Sequence, residues 1–173
     1  LRNQPLLEFT VGSFICISFG CTAWSNKHAG VLIAFNTRSF SRKHLTAIGW
    51  PLAKNLAGRA LFIRTKFNDS DVTFCAAYPP PTNANGTAKQ TTVQLYEYLS
   101  FATARLPPRT DLCLCIDGNA RIGSVVSSSI GLYQNQLECG NGTLMRKFME
   151  TFNLVATNTF KPLPPTYYHG NGR

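Results

Sequence analysis

A short apolar run that ends abruptly in polar residues constrains the fold of this chain more than any other feature. Residues 112–116 read LCLCI, and Asp117, Gly118 and Asn119 follow directly. Apolar side chains at every position predict a central strand that is buried on both faces of a sheet. Side chains two residues apart on a strand project to the same side, so Asp117 and Asn119 should leave the strand end together.

An acid and an amide at the end of such a strand allow two interpretations. A buried charge needs a partner or a metal, so a site of chemistry is one reason to keep Asp117 there. Alternatively, the Asp-Gly-Asn sequence is a turn, because all three residue types favour turns. The residues of this segment alone leave both interpretations open.

Composition limits the class of protein and the class of partner. The chain has 173 residues, of which 44% are hydrophobic, so it can form one folded domain over residues 1–173. Its net charge of +9 comes from 17 basic and 8 acidic residues. Such an excess attracts polyanions, which favours a nucleic acid or a phosphorylated partner over a neutral small molecule. A basic but inert surface is the alternative.

Cysteine usage and apolar run length bear on the compartment. The six cysteines are Cys16, Cys21, Cys75, Cys113, Cys115 and Cys139. None has zinc-site spacing, and most lie in apolar stretches. They are interpreted as buried free thiols rather than a disulfide framework, which predicts an intracellular protein of the nucleus or cytoplasm. No apolar run is as long as a membrane span, so no membrane partner is expected.

The pattern of apolar residues predicts several strands and two helices. Strands are predicted at residues 14–24, 29–35, 60–67, 72–78, 112–116 and 154–158, and helices at residues 89–106 and 142–153. The first two strands should form a hairpin. Many strands with two helices indicate an α/β or α+β domain built in layers.

A basic loop lies between the second and third predicted strands. Residues 36–44 contain Arg38, Arg42, Lys43 and His44, with Phe40 among them. Such a mixture could hold a nucleic-acid backbone and stack on a base. The alternative is a solvated loop with no such role.

Four segments in chain order resemble the endonuclease/exonuclease/phosphatase superfamily, and most closely the apurinic-type endonucleases of non-LTR retrotransposons. They are AGVLI at residues 29–33, AYPP at 77–80, IDGNARIG at 116–123, and the stretch from NG at 141–142 to NTF at 158–160. The tail from PTY at 165–167 to Arg173 is a weaker fifth match. The resemblance implies an α/β fold, a four-layer sandwich of two mixed sheets with outer helices, incomplete at both ends.

The same resemblance implies a hydrolase that cuts phosphodiester bonds in nucleic acid, first of all DNA, with Mg²⁺ or Mn²⁺ as cofactor. Asp117 would orient or deprotonate the attacking water and could contact the metal. Asn119 would hold the same water or the phosphate, and Tyr78 would contact the scissile phosphate. Arg121 and Asn158 would bind substrate. From the residues alone, Tyr78 could equally be a strand-end aromatic that caps the core, and Arg121 a solvated loop residue.

Two departures from the family pattern affect the expected activity. Gly118 replaces a bulky apolar residue, so the loop should be looser. The family's metal-binding Gln-Glu motif is absent before Phe14, where Glu8 is the only acid and therefore the one candidate for that metal ligand. The closing Asp-His pair would lie past Arg173, and nothing in the sequence places His44 or His169 near Asp117. The chain is therefore expected to be a piece of a longer domain that binds metal weakly and cuts DNA poorly.

Two other functions agree with the same fold. The chain could be a non-catalytic nucleic-acid-binding or structural remnant of an endonuclease, which Gly118 and the missing metal ligands favour. It could also be a phosphatase or phosphodiesterase that acts on a phospholipid or an inositol phosphate, since the basic charge suits any of these substrates.

Overall fold

A computed structural model of the chain describes residues 6–20, 30–67, 69–81, 86–133 and 136–162. The chain divides into two units, Leu1–Asn119 and Ala120–Arg173, and each is described here by itself. The single domain predicted over residues 1–173 stays a prediction. No helix in the described ranges is both long and apolar enough to cross a membrane.

Sheet A of the first unit is a three-stranded antiparallel meander in the order β1-β2-β3. Its strands are β1 (Leu6–Val11), β2 (Phe14–Gly20) and β3 (Gly30–Asn36). The predicted hairpin of β2 and β3 is confirmed, with Phe14 opposite Asn36. β1 is not among the predicted strands. It pairs with β2 across a short turn where Gly12 has a φ of 54°.

Sheet B of the first unit has four strands in the order β4-β5-β6-β7. They are β4 (Leu45–Gly49), β5 (Ala60–Phe67), β6 (Ser70–Ala77) and β7 (Asp111–Ile116). β4, β5 and β6 are antiparallel neighbours, whereas β7 lies parallel to β6. Helix α1 (Gly86–Thr103) forms the crossover between the two parallel strands, as that arrangement requires.

The two sheets pack through alternate residues of their strands. Leu61 and Ile63 of β5 are buried in one apolar cluster with Ile17 and Phe19 of β2. Phe62 points to the opposite face of sheet B, where its ring meets Tyr98 of α1 edge-on at 6.3 Å between centroids. Sheet A, sheet B and α1 therefore form three successive layers.

The predicted α/β class with two sheets is confirmed. The expectation that both sheets are mixed differs in one detail: among the strands that the structure describes, those of sheet A are antiparallel, and the parallel pair belongs to sheet B. Strand β5 was predicted with its observed bounds, residues 60–67. The first predicted helix is displaced, since α1 begins and ends three residues before the predicted range 89–106.

The position of β7 differs from the prediction. It is the last strand of sheet B, not a central one, and its residues alternate between exposed and half-buried. Cys113 and Cys115 are therefore exposed, although all the cysteines were predicted to be buried. They are free thiols, as expected, and so are the buried Cys16 and Cys75. An apolar sequence favours a strand, but it does not encode how many strands or layers cover that strand.

The second unit contains helix α2 (Gly140–Thr151) and a 3₁₀ turn (Thr157–Thr159). Met149 of α2 packs with Ile130 and Ala156 to form a small core. The strand predicted at residues 154–158 is wrong. The backbone amides there bond to separate segments, Leu154 to the Met149 carbonyl and Ala156 to the Ser129 carbonyl, so no ladder forms.

Candidate functional site at the ends of two parallel strands

The carboxyl ends of β6 and β7 lie side by side. Ala77 is opposite Ile116 in the last pair of the parallel ladder, and the Asp117 amide still donates to the Ala77 carbonyl at 3.2 Å. Tyr78 and Asp117 are the residues that directly follow these two strands. The carboxyl ends of neighbouring parallel strands are a common place for ligand-binding residues in α/β proteins. The structure thus brings Tyr78 and Asp117 to one edge of sheet B.

A turn holds Asn119 at the same edge. Its backbone amide donates to Oδ1 of Asp117 at 3.3 Å, and its side-chain Nδ2 donates to the Pro79 carbonyl at 3.0 Å. Its φ of 42° is one that asparagine tolerates better than most residues. Because β7 ends at Ile116, a turn and not a continued strand brings the acid and the amide together. The turn interpretation and the site interpretation are therefore compatible.

Tyr78 is half-buried and has a structural role. Its ring packs against the apolar cluster between the sheets, which agrees with the core-capping interpretation. Its backbone amide donates to the Arg59 carbonyl at 2.9 Å, and Nη1 of Arg59 donates to the Tyr78 carbonyl at 3.2 Å. The Arg59 guanidinium carbon lies 5.2 Å from the centre of the Tyr78 ring, within range of a cation–π contact.

Arg59 is a neighbour of the site that sequence reasoning missed. It is only 8% exposed, which is unusual for an arginine, and it contacts the backbone and ring of Tyr78. Its position directly before β5 gave no signal in a chain with 17 basic residues. It places a buried positive charge beside the residue expected to meet a phosphate.

Asp117 is an exposed carboxylate, and within the described ranges no cationic side chain forms an ion pair with it. The described residues also contain no group of three or more His, Cys, Asp or Glu side chains that could hold a metal ion. Magnesium prefers several hard oxygen ligands, often one or two carboxylates together with substrate phosphates and water. The described residues thus offer one such ligand at this edge, not a complete cage.

The structure does not bring Glu8 to Asp117. Glu8 of β1 forms an ion pair with Arg42, whose Nη1 donates to the Leu45 carbonyl at the start of β4. β4 and β7 are the two outer strands of sheet B, three strand spacings apart, or about 14 Å. A metal ion shared by Glu8 and Asp117 does not fit this arrangement.

The histidines do not complete the site either. The His44 ring packs against Phe67 at 4.8 Å, and Phe67 lies at the end of β5 that pairs with the first residue of β6. Asp117 lies beyond the other end of β6, a full strand length away. His169 lies outside the described residues.

The basic loop at residues 36–44 is built differently from a base-stacking surface. Phe40 is half-buried, and its ring meets Phe35 edge-on at 5.3 Å between centroids, so it belongs to the core between the sheets. The stacking role considered for Phe40 is therefore wrong. Arg38 and Lys43 are exposed and keep their charges at the surface.

Arg121 and Asn158 belong to the second unit. The Arg121 side chain is exposed, while its backbone amide donates to Sγ of Cys139 at 3.2 Å and its carbonyl accepts from the Cys139 amide at 3.0 Å. Asn158 is half-buried in the 3₁₀ turn beside Thr159. Their substrate-binding role stays a prediction.

Packing and hydrogen bonding explain the residue types at one position of the Asn-Gly motif and one position of the Asn-Thr-Phe motif. A Cβ atom on Gly142 would lie 1.8 Å from the Arg121 carbonyl oxygen, so this position of the Asn-Gly motif has no room for a side chain. Thr159 is buried, and its hydroxyl accepts from the Gly131 amide at 2.7 Å and donates to the Ala156 carbonyl at 2.7 Å. These two motif positions therefore have a structural role within the second unit.

Comparisons with known proteins give a likeness of structure. No protein-family model matches the chain, and neither does any curated protein. Among solved structures, the chain is similar to the endonuclease domain of TRAS1, a telomere-specific non-LTR retrotransposon, with 14% identity and a TM-score of 0.49. The similarity covers 79% of this chain and 52% of that one, so this chain spans about half the length of that domain.

Proposed function

We propose that this chain is a nuclease-type phosphodiesterase that hydrolyses nucleic acid, mainly DNA. Asp117 and Asn119 are the central residues of its proposed active site. The observation that carries the proposal is the pair of hydrogen bonds made by Asn119, one to Asp117 and one to Pro79. Together they hold an exposed carboxylate and an amide next to Tyr78, where β6 and β7 end. This is the residue set that the family resemblance implies for the reaction.

The proposed chemistry is an in-line displacement at phosphorus. Asp117 accepts a hydrogen bond or a proton from a water molecule, whose oxygen forms a new bond to phosphorus. The bond from phosphorus to the sugar oxygen breaks, and that oxygen leaves with a proton taken from solvent. The turn holds the Asp117 carboxylate in position, which lowers the entropic cost of orienting the water. Tyr78 lies at the neighbouring strand end, near the expected phosphate, and the buried charge of Arg59, directly before β5, contacts Tyr78.

A divalent cation enters the proposal only together with substrate. Asp117 provides one oxygen ligand, and Mg²⁺ or Mn²⁺ bound to a substrate phosphate could complete its shell with that phosphate and water. Such an ion would supply positive charge at the phosphate. With a single protein carboxylate, we expect weak metal affinity and slow cleavage.

Electrostatics support a polyanionic substrate. The net charge of +9 attracts DNA, and exposed side chains such as Arg38, Lys43 and Lys66 contribute to it. We propose DNA as the main partner and, because Cys16 and Cys75 are buried as free thiols, an intracellular site of action in the nucleus or cytoplasm.

Nicking of supercoiled plasmid in the presence of MgCl₂ tests the proposal. We expect slow, EDTA-sensitive nicking by the wild-type chain and a loss of about 100-fold in the Asp117→Asn variant. Asp111→Asn is the matched control, because Asp111 is an exposed acid at the other end of the same strand. Equal nicking by the wild type and the Asp117→Asn variant would contradict the proposed role of Asp117.

A non-catalytic nucleic-acid-binding protein is the second candidate. It is favoured by the finding that the described residues do not form a three-ligand metal group. It predicts DNA binding that weakens steeply with salt and is unchanged by magnesium or by Asp117→Asn. Salt-sensitive binding without magnesium-dependent nicking would support this candidate over the enzyme.

A further inference from the structure

A cavity of about 600 Å³ lies on the helix side of sheet B, away from the candidate site. It is enclosed by the end of β4, the middle of β5, the last turns of α1 and the segment that follows α1. Asp117 follows the carboxyl end of β7, and neither Asp117, Asn119 nor Tyr78 lines this cavity. The cavity is therefore separate from the proposed reaction centre.

The walls of this cavity are mainly apolar, and several of them are exposed to solvent. Its lining includes Ile48, Trp50, Leu52, Phe62 and Phe101. Leu52 is 78% exposed and Phe101 is 54% exposed. A concave patch of exposed large apolar side chains is typical of a binding site. Its volume falls in the usual range for small-molecule sites.

The charges of the cavity are all of one sign. Two arginines and no carboxylate line it. Arg64 is already compensated, because its guanidinium makes two hydrogen bonds to the Asp71 carboxylate, one of them at 2.7 Å. Arg105 is exposed: its guanidinium carbon lies 3.5 Å from the centre of the Phe101 ring, its Nη1 donates to the Phe101 carbonyl at 3.4 Å, and it forms no ion pair within the described ranges. It is a positive charge fixed at an apolar rim.

The cavity also has a neutral donor at its wall. Tyr98 lines it, and burial raises the pKa of the Tyr98 phenol, so the hydroxyl keeps its proton. The Tyr98 hydroxyl comes so close to β4 that a Cβ atom on Gly49 would lie 3.2 Å from it. The absence of a side chain at Gly49 thus leaves room for this hydroxyl beside the cavity.

From this arrangement we propose that the cavity binds a small amphipathic acid, with a bulky apolar group between β4 and α1 and its anionic group on Arg105. The apolar walls account for the first part of the ligand. The charge of Arg105, which Phe101 holds at the rim and which forms no described ion pair with a carboxylate, accounts for the second. A neutral ligand of the same shape would gain no ion pair with Arg105.

Binding of two probes of matched shape to the full chain tests the proposal. We expect 2-naphthoate to bind in a 1:1 ratio about fivefold more tightly than 2-naphthylmethanol. The Arg105→Gln variant should bind the two probes equally, whereas Lys89→Gln, which removes a positive charge from the first turns of α1, should behave like the wild type. Equal affinity of the two probes for the wild type would overturn the proposal, and so would failure of both to bind.

A second pair of variants locates the binding. Ala102→Phe places a ring inside the cavity and should abolish saturable binding of both probes. Ala104→Phe adds the same ring to an exposed position outside the cavity and should leave binding unchanged. Unfolding by urea checks that both variants fold. If Ala102→Phe does not fold, Arg105→Gln, which changes an exposed side chain, provides the test instead. Wild-type affinity in a folded Ala102→Phe variant would show that the probes bind elsewhere.

Discussion

The side-chain amide of Asn119 donates a 3.0 Å hydrogen bond to the backbone carbonyl of Pro79, 40 residues earlier in the chain. It joins the turn after β7 to the proline segment after β6, one residue beyond Tyr78. Asp117 accepts a hydrogen bond from the backbone amide of the same asparagine. One residue thus fixes the relative positions of both strand ends on which the proposed chemistry depends.

Substitutions at Asn119 should separate its backbone role from its side-chain role. Asn119→Ala loses the bond to Pro79 and places an alanine at a φ of 42°, so we expect it to lower the free energy of unfolding by about 2 kcal/mol. Asn119→Gly loses the same bond but adopts that φ without strain, so about 1 kcal/mol is expected. Urea unfolding measures both, and equal losses would contradict the strain argument.

Two glycines of α2 provide a matched test of close packing in the second unit. A Cβ atom on Gly142 would lie 1.8 Å from the Arg121 carbonyl oxygen, whereas one on Gly140 would meet nothing within 4 Å. We expect Gly142→Ala to lower the free energy of unfolding by about 2 kcal/mol or more, because backbone must move. Gly140→Ala should be neutral or slightly stabilising, since alanine favours helix. Similar unfolding curves for the two variants would show that this contact is not rigid.

Some features could be predicted from the sequence because they depend on local pattern. The hairpin of β2 and β3, the bounds of β5 and the existence of both helices follow from apolar periodicity and turn residues. The grouping of Asp117 with Asn119 is also local, although a turn after β7 and not strand alternation brings them together. Each of these needs information from no more than about twenty neighbouring residues.

Other features depend on which elements become neighbours, and the sequence does not state this locally. The edge position of β7 is set by strand order, so LCLCI has the same pattern whether it is covered or exposed. Arg59 is buried because Tyr78 and the end of β6 enclose it. Glu8 is likewise remote from Asp117 because β1 pairs with β2 in sheet A, whereas β7 belongs to sheet B.

The ion pair of Arg64 with Asp71 should make stability fall at low pH. Hydrogen bonds from Arg64 lower the pKa of Asp71 from 3.8 to about 2 in the folded chain. A carboxylate with a depressed folded pKa stabilises the fold fully above its unfolded pKa, so this stabilisation is lost as the pH falls from about 4 to about 2. The Asp71→Asn variant should lose less stability than the wild type over this range.

Urea unfolding at several pH values between 5 and 2.5 measures that difference. Asp69→Asn is the control, because Asp69 is an exposed acid two residues away with no arginine bound to it among the described ion pairs. It should reproduce the wild-type pH dependence. If Asp71→Asn also reproduces it, other carboxylates control the acid sensitivity of the fold.

The exposed strand face of β7 predicts a specific pattern of thiol reactivity. Cys113 and Cys115 are exposed, whereas Cys16 and Cys75 are buried. Burial raises the pKa of the Cys75 thiol and removes it from solvent, so it should not react with Ellman's reagent in the folded chain. Partial desolvation and the neighbouring Cys115 raise the pKa of Cys113, so its reaction should be measurable but should accelerate with increasing pH.

A double variant with serine at positions 113 and 115 should therefore lose two equivalents of thiol that react in native buffer. A double variant with serine at Cys16 and Cys75 should keep those two equivalents and lose two that react only in denaturant. The comparison tests whether the face of β7 that carries Cys113 and Cys115 is uncovered, because a strand covered on both faces would protect all four thiols alike. Slow reaction of Cys113 and Cys115 in native buffer at pH 8 would mean that another segment covers this face in solution.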